Sequence, residues 1–293
     1  QPNPLARRLQ KGKTETIGIV ITPEQNYFSD TFFIDLLSGI SNQITRAGYE
    51  LILGVASDEE HEMQSMRRMV EGKRVDGMIL TLIREQDPRV GYLLDRDFPF
   101  VLYGRTRETR PYAFVDMDGK QAFEKACTYL AGLGHRRIAL LNGEPGFMFP
   151  VGCREGYESG LFLSGLELDP DLIREWKHKD PSQSSYRWTL ELFKNDNPPT
   201  AILFQTEAVN GIFKGLDELD LQPGKDVALI GYDDLEIARI HRPSLSVLRP
   251  QAKEAGQRVV NILMEVIKGE DPGKFQEIHQ VEMVIRETSL PPS

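Results

Sequence analysis

From Thr16 onward the chain alternates between short β-branched runs and segments of helical period, and few folds accommodate that alternation. The apolar runs fall at 16–22, 49–55, 75–82, 98–103, 112–117, 137–142, 199–204 and 226–231. Between them, residues such as Phe32, Phe33, Leu36, Leu37, Ile40, Ile44 and Ala47 recur at i, i+3, i+4 and stripe one helix face. Continuous apolar strands have no polar face to turn to water, so they belong in parallel sheets covered on both sides by helices. Gly48 after Ala47 and Gly134 after Leu133 punctuate helix ends. The pattern predicts an α/β fold with doubly wound parallel sheets.

Two such units can be counted in the 293 residues, a length ample for two cores. The first runs from about 14 to 111, and the second repeats the pattern from Tyr112 to Tyr232. After Pro243 the pattern predicts a strand (244–248), a long helix (about 251–268) and a closing strand (281–286). Pattern alone leaves open which unit takes this tail.

Ahead of the first strand lies a basic arm. Residues 1–13 hold Arg7, Arg8, Lys11 and Lys13 and no acid. Taking those four charges from the net charge of −9 leaves −13 on residues 14–293. A body of that sign repels nucleic acid, so any DNA contact falls to the arm or to something upstream of it. By charge alone such an arm is a solvated tail.

Other signals exclude more than they assign. The apolar runs are far shorter than the about 20 residues of a membrane-crossing helix. No apolar segment of a secretory leader follows the basic start, and a cytoplasmic protein is expected. Cys127 and Cys153 lack metal-ligand spacing and are expected to be reduced, packed as small hydrophobes. There is no glycine-rich phosphate loop, no G-x-S-x-G elbow and no H-E-x-x-H. His61, His135, His178, His241 and His279 are scattered, and Asp116-Met117-Asp118-Gly119 lacks the further ligands of an oxygen-based metal site. No catalytic residue, metal or cofactor is expected.

Four segments in series resemble the LacI/GalR family of bacterial transcription regulators. The arm Pro2-Asn3-Pro4-Leu5-Ala6-Arg7-Arg8-Leu9, followed by Lys13-Thr14-Glu15-Thr16-Ile17-Gly18, is similar to the family's hinge helix and linker. The second segment is Asp118-Gly119 through Leu130 to Gly132-Leu133-Gly134-His135-Arg136-Arg137-Ile138-Ala139. The third is Asp226-Val227-Ala228-Leu229-Ile230-Gly231-Tyr232-Asp233-Asp234, and the fourth Pro243-Ser244-Leu245-Ser246-Val247. The resemblance implies two periplasmic-binding-protein-like subdomains joined by three crossovers, with the effector in the cleft between them. On that basis residues 1–13 form the hinge segment. Residues 14–111 plus about 246–275 form the N-terminal subdomain, and 112–245 plus about 276–293 the C-terminal one. A helix-turn-helix head is implied ahead of the arm, and a homodimer as the binding form.

The resemblance also assigns roles. In the hinge, Leu9 would wedge between base steps in the minor groove and Ala6 face its floor, with Asn3 and Arg7 also on DNA; unstacking is offset by contacts to bent DNA. Arg7, Arg8, Lys11 and Lys13 would neutralise phosphates. Asp233 matches the family's ligand carboxylate at a strand's carboxyl end, where it can accept hydroxyl hydrogen bonds with charge assistance; Asp234 reads as a helix cap. Asp118 matches the cleft aspartate, although capping alone also explains it. Arg154 matches the family arginine, but its Gly156 arrives one residue early. Phe32 and Phe33 occupy the aromatic pair, after Asp30-Thr31 in place of Asn-Pro, and one ring can stack on a sugar face. Arg105 ends a strand. Gln205-Thr206 replaces the family's Asn-Asp, with Gln205 as the substitute amide.

The chain is therefore expected to be the ligand-sensing and dimerisation core of a DNA-binding repressor-type regulator. Its partners would be a mono- or disaccharide or derivative, operator DNA through head and hinge, and a second copy, with no membrane. The rival is the solute-binding protein of a sugar transporter, which shares fold and cleft; an α/β enzyme is disfavoured by the missing motifs.

Overall fold

A computed structural model describes residues 13–22, 31–176 and 180–292. The hinge expectations on Asn3, Ala6, Arg7 and Leu9 fall outside these residues, as do Asp30 and His178. The described chain forms two α/β units that it enters by three crossovers. The first unit ends at Asp116 and takes up Gln251–His279; the second comprises Met117–Pro250 and Gln280–Ser293.

In the first unit the strands are β1 (Thr16–Ile21), β2 (Glu50–Val55), β3 (Gly77–Leu80), β4 (Phe100–Tyr103), β5 (Ala113–Met117) and, late in the chain, β11 (Gln276–His279). They lie in the order β11-β5-β4-β3-β1-β2. Pairs β1–β2, β1–β3, β3–β4 and β4–β5 are parallel. Every residue of β1 is buried, as a strand covered on both faces must be. The helices are α1 (Thr31–Arg46), α2 (Glu59–Glu71), α3 (Pro88–Leu94) and α9 (Ala252–Ile267). Helices α1 and α9 cross backbone to backbone. A Cβ on Gly39 would stand 2.1 Å from the Lys253 carbonyl oxygen, and one on Gly256 2.3 Å from that of Leu36.

The entry to β1 is clamped. The Thr14 amide (2.7 Å) and hydroxyl (2.9 Å) donate to one oxygen of Asp76, and the Glu15 amide donates to the other (2.8 Å). Glu15 takes a left-handed φ of 53° in this turn.

The second unit repeats the plan with β6 (Ile138–Asn142), β7 (Ile173–Glu175), β8 (Ala201–Gln205), β9 (Ala228–Tyr232), β10 (Ser246–Arg249) and β12 (Glu282–Val284). Their order is β12-β10-β9-β8-β6-β7, parallel except where β12 runs antiparallel to β10. Its helices are α4 (Gly119–Gly132), α5 (Met148–Leu163), α6 (Pro181–Phe193), α7 (Val209–Glu218) and α8 (Glu236–Ile240). Cys127 in α4 and Cys153 in α5 are free and fully buried; burial alone pushes the Cys127 thiol up to about 12.

The crossovers fall later than the bounds of 111/112, about 245/246 and about 275/276 implied by the resemblance. Strand β5 extends the first sheet, with Val101 opposite Ala113 and Tyr103 opposite Val115, rather than opening the second unit at 112. Strand β10 pairs with β9 (Val247 opposite Gly231) instead of leaving at 246. Strand β11 returns to the first sheet, where the Phe114 amide donates to the Phe275 carbonyl. An apolar run carries its burial in its own residues, whereas its sheet is decided by partners distant in sequence.

The chain's end is tied to the second sheet. Thr288 donates from its hydroxyl to the Leu229 carbonyl (2.9 Å), and buried His135 donates from Nε2 to the Leu290 carbonyl (2.9 Å) while Nδ1 meets the Thr200 hydroxyl (2.9 Å). A carbonyl can only accept, so Nε2 carries the proton of the neutral ring.

Gly256→Ala should lower stability in urea by about 1–3 kcal/mol, because its methyl meets backbone that cannot yield locally. In Gly132→Ala, where a Cβ meets nothing within 4 Å, stability should instead rise by about 0.5–1 kcal/mol. Burial holds the His135 pKa below its ordinary value, the Leu290 bond only partly opposing it. Below an unfolded pKa of about 6.5 the unfolded chain therefore binds the proton first, and stability falls as pH drops. The loss of Tm between about pH 7.5 and 5.5 should be smaller in His135→Gln than in the wild type.

Candidate functional site

In a parallel sheet all strands deliver their carboxyl ends to one edge, and functional side chains collect there. At that edge of the second sheet β6 ends on Asn142, β7 on Glu175, β8 on Gln205 and β9 on Tyr232. Asn142, fully buried, joins them. Its amide nitrogen donates to the Pro150 carbonyl in the first turn of α5 (2.9 Å) and to Glu175 Oε1 (3.3 Å). Its Oδ1 accepts from Gln205 Nε2 (3.0 Å).

Gln205 is buried and so forms the floor of this edge rather than its open face. It also hydrogen-bonds the Cys153 thiol, which burial pushes well above the ordinary range, with the charges of Asp233 and Glu207 adding to the shift. Those two carboxylates thus share the surroundings of Cys153.

Asp233 directly follows β9 with φ 80°, a left-handed conformation that short polar Asp tolerates better than most residues. Its amide donates to the Leu248 carbonyl (2.8 Å). Asp234, expected to cap the next helix, does not: α8 is preceded by Leu235 and has no side-chain cap bond. The Asp234 carboxylate instead turns inward against Arg239 (3.0 Å), Arg249 (3.6 Å) and Arg286 (2.8 Å). Burial opposes its charge, but the bonds from Arg239 and Arg286 outweigh burial and hold its pKa below the ordinary value.

Asp118 caps α4, its Oδ1 accepting from the Gln121 amide (3.0 Å). Arg154 in α5 donates to Glu158 one turn on (2.9 Å) and reaches Glu175 at the end of β7 (3.4 Å), so it meets the sheet edge with its charge already faced by two carboxylates. Arg154, Gln205 and Asp233 therefore meet at one sheet edge, and Asp118 belongs to the same unit at the start of α4. Sequence reasoning missed Asn142, Glu175 and Phe149, an aromatic at the start of α5 whose ring lies 4.6 Å from that of Tyr232. The signal for Asn142 was present: a polar residue closing the apolar run Ile138–Leu141.

At the carboxyl edge of the first sheet, Phe32 stands 5.9 Å from the Tyr103 ring that ends β4. Phe33 does not: it is 3 % exposed and part of the core. A helix sends adjacent residues about 100° apart, so only one ring of the pair can face the edge. Arg105, after Gly104, forms an ion pair with Asp116 of β5. Buried Arg89 donates to the Thr81 (3.1 Å) and Leu82 (2.9 Å) carbonyls and pairs with Glu62 and Asp87, locking the loop after β3.

Residues 127–289 match the model of the periplasmic binding protein-like domain. The transcriptional regulator AglR of Rhizobium meliloti is 30 % identical over 298 residues, covering 99 % of this chain and 82 % of its own length. RafR of Escherichia coli is 30 % identical over 94 % of this chain and 82 % of its own. This chain belongs to the LacI family of transcriptional regulators. A LacI-family regulatory protein from Chloroflexus aggregans superposes with a TM-score of 0.84 at 26 % identity, over 94 % of this chain and 99 % of that one. The regulator CelR in complex with cellobiose has the same fold, with a TM-score of 0.86 at 22 % identity over 98 % of this chain and 92 % of that one. These LacI-family relatives are regulators, which points away from an enzyme. Among the described residues no cluster of His, Cys, Asp and Glu could hold a metal ion, and no helix is long and apolar enough to cross a membrane.

The Asn142 network is open to a direct test. In Asn142→Ala the Gln205 amide and the Glu175 carboxylate lose their buried partner, and urea unfolding should show a loss of about 1–3 kcal/mol.

Proposed function

We propose that this chain is the ligand-sensing core of a repressor-type, sequence-specific DNA-binding regulator, and that its effector is a neutral mono- or disaccharide. The observation that carries the reading is the carboxyl edge of the second sheet. There Asp233 sits on a left-handed turn between a buried amide floor and an arginine-braced Asp234. A carboxylate so placed accepts hydrogen bonds from vicinal hydroxyls, each strengthened by its charge. Asp118 at the start of α4, Arg154 in α5, and Phe32 and Arg105 at the first sheet's edge are proposed to contribute. The cellobiose bound by CelR supports a sugar as the ligand class.

The regulator works as a homodimer on operator DNA in the cytoplasm, with Leu9 and the arm's cations as the hinge contacts. Effector binding changes operator affinity through a coupling energy of about 1–3 kcal/mol. The regulatory relatives favour this reading over a transporter's solute-binding protein.

A thermal-shift screen with cellobiose, maltose, lactose, raffinose, glucose and galactose tests it. At least one sugar should raise Tm progressively with concentration. In Asp233→Asn, which keeps shape and loses charge, the affinity for that sugar should fall by about tenfold or more. No stabilisation by any of the six sugars sinks the sugar reading; an unchanged affinity in Asp233→Asn removes Asp233 from the site.

A further inference from the structure

Phe149 takes no part in the polar network, yet its position is closely determined. It is the second residue of α5, one residue before the Pro150 carbonyl that Asn142 binds. Its ring centroid lies 4.6 Å from that of Tyr232 at 59°, and behind Tyr232 the Phe123 ring follows at 6.0 Å and 24°. Phe123 and Tyr232 are 1 % and 4 % exposed, whereas Phe149 is 36 % exposed. It is the open end of an aromatic pile rooted in the core.

The seat of that ring is cut into α4. A Cβ on Gly119 would lie 2.9 Å from Phe149 Cε2 and 3.2 Å from Cδ2, so the absent side chain lets the ring rest against the helix. The residue before Gly119 is the cap Asp118, and the residue after Tyr232 is Asp233. An apolar ring is thus held against the chain neighbours of two aspartates, Gly119 next to Asp118 and Tyr232 next to Asp233.

We propose that Phe149 is a stacking platform for the C–H face of a pyranose ring, with Asp233 taking hydroxyls at the sugar's edge. A pyranose presents one face of axial C–H groups and a rim of hydroxyls, and an aromatic face meets the first while carboxylates meet the second. The inference rests on the sugar reading above and deepens it by assigning the apolar half of recognition.

The test uses the panel sugar that stabilises the wild-type chain most, titrated by calorimetry into Phe149→Tyr, Phe149→Leu and Phe149→Ala. Phe149→Tyr should bind within a few-fold of the wild type. Phe149→Leu keeps apolar bulk but has no π face, and should weaken binding by about tenfold, close to Phe149→Ala. Saturation-transfer NMR should show strong contact to C–H protons of one sugar face in the wild type and its loss in Phe149→Leu. Should Phe149→Ala fail to fold, the Tyr and Leu variants decide the matter. Equal affinities and unchanged contacts in Tyr, Leu and wild type overturn the platform while leaving the sugar reading intact. If no panel sugar binds the wild type, the sugar reading fails and the platform falls with it.

Discussion

Burial of both parallel sheets on both faces is the constraint from which the rest of this molecule follows. A central strand such as β1 or β8 has no solvent side, so a polar side chain within it would be stranded without water. Polar groups can enter only where strands end, and there they must find partners at once. Asn142, Gln205 and Glu175 close three neighbouring strands and bind one another, with Asn142 as the shared partner. The site is therefore a by-product of how the sheet terminates. Its amide floor satisfies the last polar groups of the core, and the first groups above it are those a ligand can meet.

The two aspartates that follow β9 are held by the structure around them. Asp233 departs from the sheet in a left-handed turn, a conformation that costs free energy for any residue with a Cβ. The turn is secured on both sides: the Asp233 amide is bonded to β10, and the next residue is clasped by Arg239, Arg249 and Arg286. Three guanidiniums around one inward carboxylate leave Asp234 no alternative orientation, and that in turn orients its neighbour. Two adjacent aspartates thus divide the work, one bracing the turn and the other carrying its charge beside Cys153.

How much of this was legible depended on whether the information was local. The helical period from Phe32 to Ala47 and the apolar runs reported their own burial, so sheets, helices and the count of units could be read directly. The placement of β5, β10 and β11 could not, because a strand's sheet is set by hydrogen bonds to residues far along the chain. The same distinction separates the site residues. Asp233 and Asp118 stood at strand–helix junctions that their flanking patterns mark. Asp234 looked like a cap because the acid and the helix are adjacent in sequence, while the arginine that draws it inward, Arg286, lies 52 residues away. Phe33 and Phe32 were inseparable until the phase of α1 was known. Phe149 gave no periodic signal at all, since its role follows from an absent side chain at Gly119 on a different helix.

The chain enters the first unit through a clamp on the two residues ahead of β1. Asp76 immediately precedes β3 and binds Thr14 and Glu15 through both carboxylate oxygens, so the two residues ahead of β1 are fixed to the first sheet at the amino end of its strands. The candidate ligand groups lie at the carboxyl ends. Within the first unit, strands buried on both faces are stiff elements between those ends and the clamp. With −13 on the body and +4 on the arm, a DNA phosphate is repelled by one and attracted by the other. The clamp thus ties Thr14 and Glu15 to the first sheet, so a displacement of that sheet carries the start of β1 with it.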